Sequence, residues 1–431
     1  MASPASHPEK LSAAAAAAAI RDGRLTAEAL VRACLERIAA REPTVHAWTH
    51  CDPEQALAQA RALDRAPATG PLYGVPIGVK DIIDTFDMPT RHGSPIYQDN
   101  RPDADAACVA LCRAAGMVIL GKTVTTEFAN RHPGPTTNPH NSAHTPGGSS
   151  SGSAAGVADF MVPLAFGTQT AGSVIRPAAF CGVIGYKPTF GEISRVGVKL
   201  QSATLDTVGM MARALDDLPL LRGVLLGIAP TPIPAAPRAP RIGFCRSVSW
   251  PVIAPDYQAL LERVASSLSA GGATVSDIAL PAAFDQILPA HRRVMTFEAA
   301  RNYAYEKTRH RDRLSQVLRD TVLAEGDRCS LEDYVAAILL GERLRDHLDG
   351  LLADRFDVLL TASATGEPPA GIDATGDAQC NAVWSLAGTP CVTLPAGTGR
   401  NGLPLGIQLV GARFADARLF ETARWIEACL A

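Results

Sequence analysis

Residues 11–41 carry helix-forming composition, with a break at Asp22 and Gly23. Thr26 and Glu28 supply the start signals of the second of two helices, which the pattern carries to Ala40. Turn material follows at 71–76, and then a β-rich run at 77–84 that places Lys80 inside a strand. The pattern turns helical over 105–115, strand-like over the four apolar residues 117–120, and helical again from 125 to 129. This rhythm predicts an α/β chain. Between 130 and 156 large apolar residues all but vanish among Pro, Thr, Asn, His, Ser and Gly. A loop of that length inside a compact chain is functional or disordered.

Buried α/β character returns at 157–166 and 183–186, with a Gly/Thr-rich segment between them. Five prolines (Pro230, Pro232, Pro234, Pro237, Pro240) make 228–240 a semi-extended connector. It divides one domain into a core lobe, 1–227, and a second lobe, 241–431, that completes the sheet. In the second lobe, strands at 241–245 and 273–278 flank a helix at 256–270. Two long polar-faced helices fall between 297 and 352, and the last strands lie at 358–361, 391–395 and 405–410.

Composition narrows the classes. Of 431 residues, 47% are hydrophobic and 19% charged, which excludes disorder for the bulk of the chain. Lys and Arg number 40 against 43 Asp and Glu, a net charge of -3, so no broad attraction to a phosphate backbone exists and no nucleic-acid partner is expected. The ten cysteines show neither a CxxC pair nor zinc spacing, and read as reduced thiols of a cytoplasmic protein without a metal or other cofactor. The alanine run before Ile20 reads as an ordinary helix, and no apolar run reaches the roughly 18 residues of a membrane span.

Two short motifs are decoys. Residues 116–123 match the phosphate-loop pattern GxxxxGK[ST], ending in Gly121, Lys122 and Thr123, but the four middle positions are a bulky apolar strand rather than a flexible cradle. Residues 148–152 match GxSxG with Ser150 central, yet no strand precedes them and no downstream histidine suggests itself.

A longer pattern spans 146–189: a Gly/Ser-rich loop, a helical segment, a second Gly/Thr-rich loop ending at Ser173, then Arg176 and Pro177. This stretch resembles the defining signature of the amidase signature family. Agreement extends to the strand carrying Lys80 and Asp81, to 205–209, and to 387–390 and 402–408, so the resemblance covers nearly the whole chain. Within the family it looks most like the malonamidase-like branch, through 80–85, 138–141, Gln169 and Arg176. The resemblance implies a large mixed β-sheet covered by helices on both faces.

It also implies a nucleophile at Ser173, a bridging Ser149 whose peptide bond to Gly148 is cis, and Lys80 as base. For Lys80 to act so it must be neutral, which burial on an apolar strand favours. Asp81, on the opposite face by strand alternation, opposes this little. The small residues before Ser173 allow the N–H groups of Thr170, Ala171, Gly172 and Ser173 to converge on an oxyanion. Arg176 is either a clamp for a substrate carboxylate or part of a structural ion pair, while Gln169, Thr168 and His144 are candidate substrate contacts. His132 and His140 lie in the same loop. Ala171 stands where the family commonly has Gly, and Gln169 where it commonly has Asp.

The expected activity is hydrolysis of small amides through an acyl-Ser173 intermediate. Carbamate (urethane), anilide or ester hydrolysis is the alternative within the same chemistry. A second alternative is the glutaminase-type subunit of a tRNA-dependent amidotransferase. Only Tyr303, Tyr305 and Tyr334 occur in 297–352, where a tyrosine-rich docking segment would be sought, so a free-standing enzyme acting on a small molecule is expected. The helices of that region could pair two copies into a homodimer.

Overall fold

A computed structural model describes residues 7–430. Its strands are β1 (Trp48–His50), β2 (Pro76–Lys80), β3 (Val118–Thr123), β4 (Leu164–Gln169), β5 (Ile184–Lys187), β6 (Thr207–Ala212), β7 (Arg241–Cys245), β8 (Thr274–Ile278), β9 (Val358–Ala362), β10 (Cys391–Thr398) and β11 (Pro404–Val410). All join one sheet in the order β1-β3-β2-β4-β6-β5-β10-β11-β9-β7-β8. Pairings of β2 with β3 and β4, and of β7 with β8 and β9, are parallel. The others, including β4 with β6 and β5 with β10, are antiparallel, so the sheet is mixed.

Strands β2, β3, β4, β5, β6 and β9 are buried at every position. A strand without a wet face must be covered on both sides, and helices cover this sheet on both faces. The sheet runs unbroken through the β5–β10 pair, so strands from before and after the Pro-rich connector share it.

Several boundaries differ from the sequence pattern for local reasons. The β-rich run at 77–84 stops being strand at Lys80, because Ile82 N and Ile83 N both donate to Lys80 O, at 2.8 and 2.9 Å, and turn the chain. The apolar run at 117–120 continues as strand through Gly121, Lys122 and Thr123. The first two helices are Ala13–Arg21 and Ala27–Val45, each capped by a side chain, Ser12 on Ala15 N and Thr26 on Ala29 N. Strand β1 has three residues, too short for a periodicity to show. The long helices of the second lobe are Ile287–Asn302 and Leu331–Asp354, separated by shorter helical pieces. No helix among the described residues is long and apolar enough to cross a membrane.

Candidate active site

Lys80 is the last residue of β2 and is wholly buried. Its Nζ lies 2.7 Å from Ser149 Oγ, 2.8 Å from Thr168 Oγ1 and 3.4 Å from Thr168 O. Burial holds its ammonium well below the usual lysine range, while the Asp206 carboxylate pulls weakly the other way. Asp81 turns to the opposite side, where it accepts from Arg91 N at 3.1 Å and lies 3.7 Å from Lys122 Nζ. The peptide bond between Gly148 and Ser149 is cis.

Ser173 sits in the turn between β4 and the helix Ile175–Cys181 and lines a cavity of about 740 Å³. Among the described residues its hydroxyl hydrogen-bonds no protein group, and no direct hydrogen bond joins it to Ser149 or Lys80. The N–H groups of Thr170, Ala171, Gly172 and Ser173 likewise have no protein acceptor among the described residues. A run of free N–H groups ending in a serine on a cavity wall is an anion-receptive turn. Gly172 is required there, because a Cβ would stand 2.3 Å from Asn381 Oδ1. Ala171 and Thr170 also line the cavity, with Arg131, Arg292, Asp373 and Asp377 as charged groups and Leu288, Met295 and Val317 as apolar ones.

Arg176 is 4% exposed and borders the same cavity. It makes no ion pair among the described residues. Its guanidinium donates to Gly148 O at 2.6 Å, Gly376 O at 2.9 Å and Thr375 Oγ1 at 3.3 Å, and Nε is buried without a partner. Burial lowers its pKa to about 10. Instead of the ion pair considered from the sequence, carbonyl oxygens hold it.

The other candidate contacts lie away from the cavity wall. Thr168 faces Lys80. Gln169 clamps the turn: its Oε1 accepts from Val174 N and Ile175 N at 2.9 and 3.0 Å, and its Nε2 donates to Ser385 Oγ at 3.1 Å. His144 Nδ1 pairs with Pro368 O at 2.8 Å and His140 Nε2 with Cys181 O at 2.8 Å, while His132 is exposed. The polar loop is thus anchored by carbonyls from distant segments, with Asn138 Nδ2 donating to Phe180 O at 2.9 Å.

Both decoys are structural. Lys122 is buried in β3 and donates to Ile83 O and Thr90 Oγ1, each at 2.6 Å. The backbone around it is committed to pairing with β2, which leaves no cradle. Ser150 Oγ accepts from Thr168 N at 3.2 Å, which ties it to β4. Two residues of the site were given no role from the sequence, although Asp206 lies within the family-like stretch 205–209. Asp206 accepts from Thr170 Oγ1 at 2.5 Å, and His291, on the helix Ile287–Asn302, donates from Nε2 to Thr170 O at 3.0 Å. Among the described residues no group of three His, Cys, Asp or Glu is placed to hold a metal ion.

Known proteins share this sequence and this fold. The chain is 34% identical to a glutamyl-tRNA(Gln) amidotransferase subunit of Chloroflexus aggregans, over 95% of this chain and 94% of the relative. It superposes on a solved amidase with a TM-score of 0.88 at 29% identity, covering 97% of this chain and 99% of that one. The peptide amidase of Stenotrophomonas maltophilia gives a TM-score of 0.81 at 29% identity, with 97% and 96% covered. The family model described as Amidase matches residues 29–420. With a match across nearly the whole length, the chain belongs to the amidase signature family.

Proposed function

We propose that the chain hydrolyses the C–N bond of a small amide through an acyl-Ser173 intermediate, with Lys80 as base and Ser149 as proton relay. The observation that carries this reading is the wholly buried Lys80 Nζ, 2.7 Å from Ser149 Oγ, on a strand adjoining the free N–H groups of the Ser173 turn. A neutral amine in that position accepts the serine proton through Ser149. The developing oxyanion is received by the N–H groups of Thr170–Ser173, and the proton returns to the leaving amine. Water then attacks the acyl-enzyme by the same relay.

A second reading is a glutaminase-type subunit of a tRNA-dependent amidotransferase, in which Ser173 would attack the side-chain amide of glutamine. By kinship it has the stronger support, since curated relatives at 33–34% identity carry the name of such an amidotransferase component. It would require partner subunits. Of the tyrosines of 297–352, Tyr303 is buried with its hydroxyl on Phe128 O and Tyr334 bonds Glu298, which leaves Tyr305 as the exposed one.

Arg176, which borders the cavity and whose buried Nε has no partner, is the residue we assign to a substrate carboxylate. The test is hydrolysis of glutamine, malonamate, a neutral p-nitroanilide and its carbamate analogue by wild type, Ser173→Ala and Arg176→Ala. Preference for malonamate that is lost only in Arg176→Ala supports the carboxylate contact. Cleavage of anilide and carbamate alone rejects it. Ammonia release from glutamine above all others favours the amidotransferase reading, and full activity of Ser173→Ala removes both.

A further inference from the structure

Three consecutive carbonyls of the turn before Ser173 are held from outside. Thr170 O accepts from His291 Nε2 at 3.0 Å, Ala171 O from Ser385 Oγ at 2.7 Å, and Gly172 O from Arg176 N at 3.0 Å. The first two donors come from distant helices, Ile287–Asn302 and Gln379–Ala387. A carbonyl only accepts, so His291 carries its hydrogen on Nε2 and leaves Nδ1 bare. His291 is 4% exposed, and burial lowers its pKa to about 4, so the ring stays neutral above that pH.

In a trans peptide unit the C=O and the following N–H point in opposite directions. Drawing the carbonyls of Thr170 and Ala171 toward His291 and Ser385 therefore aims the N–H groups of Ala171 and Gly172 the other way. Those are among the N–H groups without a protein acceptor. Ser385 Oγ also accepts from Gln169 Nε2 at 3.1 Å, and Gln169 Oε1 holds Val174 N and Ile175 N, so the turn is clamped from both ends.

We propose that His291 and Ser385 are positioning residues for amide hydrolysis, each fixing one peptide plane so that the N–H groups of Ala171 and Gly172 stand ready for the oxyanion. The proposal rests on the reading of Ser173 as nucleophile. Neither residue touches the reacting atoms in this role. Preorganised donors owe their effect to not having to reorient as charge develops. Removing an oxyanion donor outright costs about 10²–10³-fold in kcat, so freeing the plane that carries one should cost about 10–10²-fold.

The experiment compares wild type with His291→Phe, His291→Gln and Ser385→Ala on a neutral p-nitroanilide, and measures inhibition by the trifluoromethyl ketone bearing the same acyl group, which forms a tetrahedral adduct. Trapping of the acyl-enzyme by mass spectrometry in wild type precedes the comparison. The expected result for His291→Phe is a fall in kcat of about 10–10²-fold with KM within about twofold, and an equal loss of affinity for the ketone. His291→Gln, whose amide N–H can reach Thr170 O, should recover most of both. Ser385→Ala removes only a hydroxyl, should fold normally, and carries the same expectation, so it decides the matter if His291→Phe does not fold. Unchanged kcat in folded variants overturns the proposal, as does a kcat loss without a matching loss of ketone affinity. Absence of acyl-Ser173 in wild type overturns the underlying reading as well, whereas normal acylation with indifferent variants overturns the brace alone.

Discussion

Lys80 and Lys122 stand on neighbouring parallel strands one register step apart, Lys80 opposite Thr123 and Val79 opposite Lys122, so their side chains leave the sheet on opposite faces. Both are wholly buried. Lys80 meets hydroxyls from Ser149 and Thr168, with no carboxylate bonded to it. Lys122 meets the carbonyl of Ile83, the hydroxyl of Thr90 and, at 3.7 Å, the carboxylate of Asp81. Hydroxyls serve a neutral amine as well as a charged one, whereas a carboxylate favours the charged form. The same side chain is thereby set up as a base on one face and as a structural cation on the other.

The pH profile should report the first of these. Because burial depresses Lys80, a substantial neutral fraction exists far below the usual lysine pKa of about 10.4. The kcat/KM of amide hydrolysis should fall in acid as Lys80 becomes protonated, with a plateau above. Lys80→Met should lower kcat by at least ~10³-fold while leaving thermal unfolding nearly unchanged. An acid limb that survives in Lys80→Met would assign it to another group.

Lys122 should register in stability instead of activity. It titrates near 8 in the fold, against about 10.4 in the unfolded chain. Between those values the unfolded chain binds more protons than the folded one, so stability gains from this group as pH rises from 8 towards 10 and has none of that gain below 8. The gain is on the order of 3 kcal/mol. Lys122→Met should flatten that slope in urea titrations at pH 8 and 10. At pH 7 it leaves Asp81 buried and unpaired, a cost of about 3 kcal/mol that Lys122→Met combined with Asp81→Asn should largely relieve. Activity per folded molecule should stay near wild type.

The two serines side by side separate the rival motifs. Ser149→Ala should lose activity by at least ~10²-fold, because the relay from Lys80 is cut. Ser150→Ala breaks only the ties to the Thr168 backbone, from Thr168 N and to Thr168 O, and should cost about 1–2 kcal/mol of stability with kcat within a few-fold of wild type. The reverse order in steady-state assays would restore the nucleophile-elbow reading of residues 148–152.

Gly172→Ala tests the turn itself. The added methyl would stand 2.3 Å from Asn381 Oδ1, so the turn or the helix carrying Asn381 must shift. A misaimed turn should reduce kcat by about 10²-fold with little change in KM. Unchanged kcat would show that the turn tolerates displacement and does not act as an oxyanion site.

By itself the sequence determined the alternation of helix and strand, the burial of the strand bearing Lys80, the long polar loop, and the signature from which the family and the serines were read. These are local properties: periodicity, cap residues and a continuous run of glycines and serines act over a few positions each. Its substrate contacts fared differently, because Thr168, Gln169 and His144 are near Ser173 or its loop in the chain but point to Lys80, to the helix start and to Pro368 O. Only the tertiary structure decided which carbonyls hold Arg176, that Asp206 and His291 converge on Thr170, and that Ser385 reaches Ala171 from 214 positions away. Periodicity says that a helical residue faces inward but not what stands across from it, and that partner is set by how distant helices pack on the sheet.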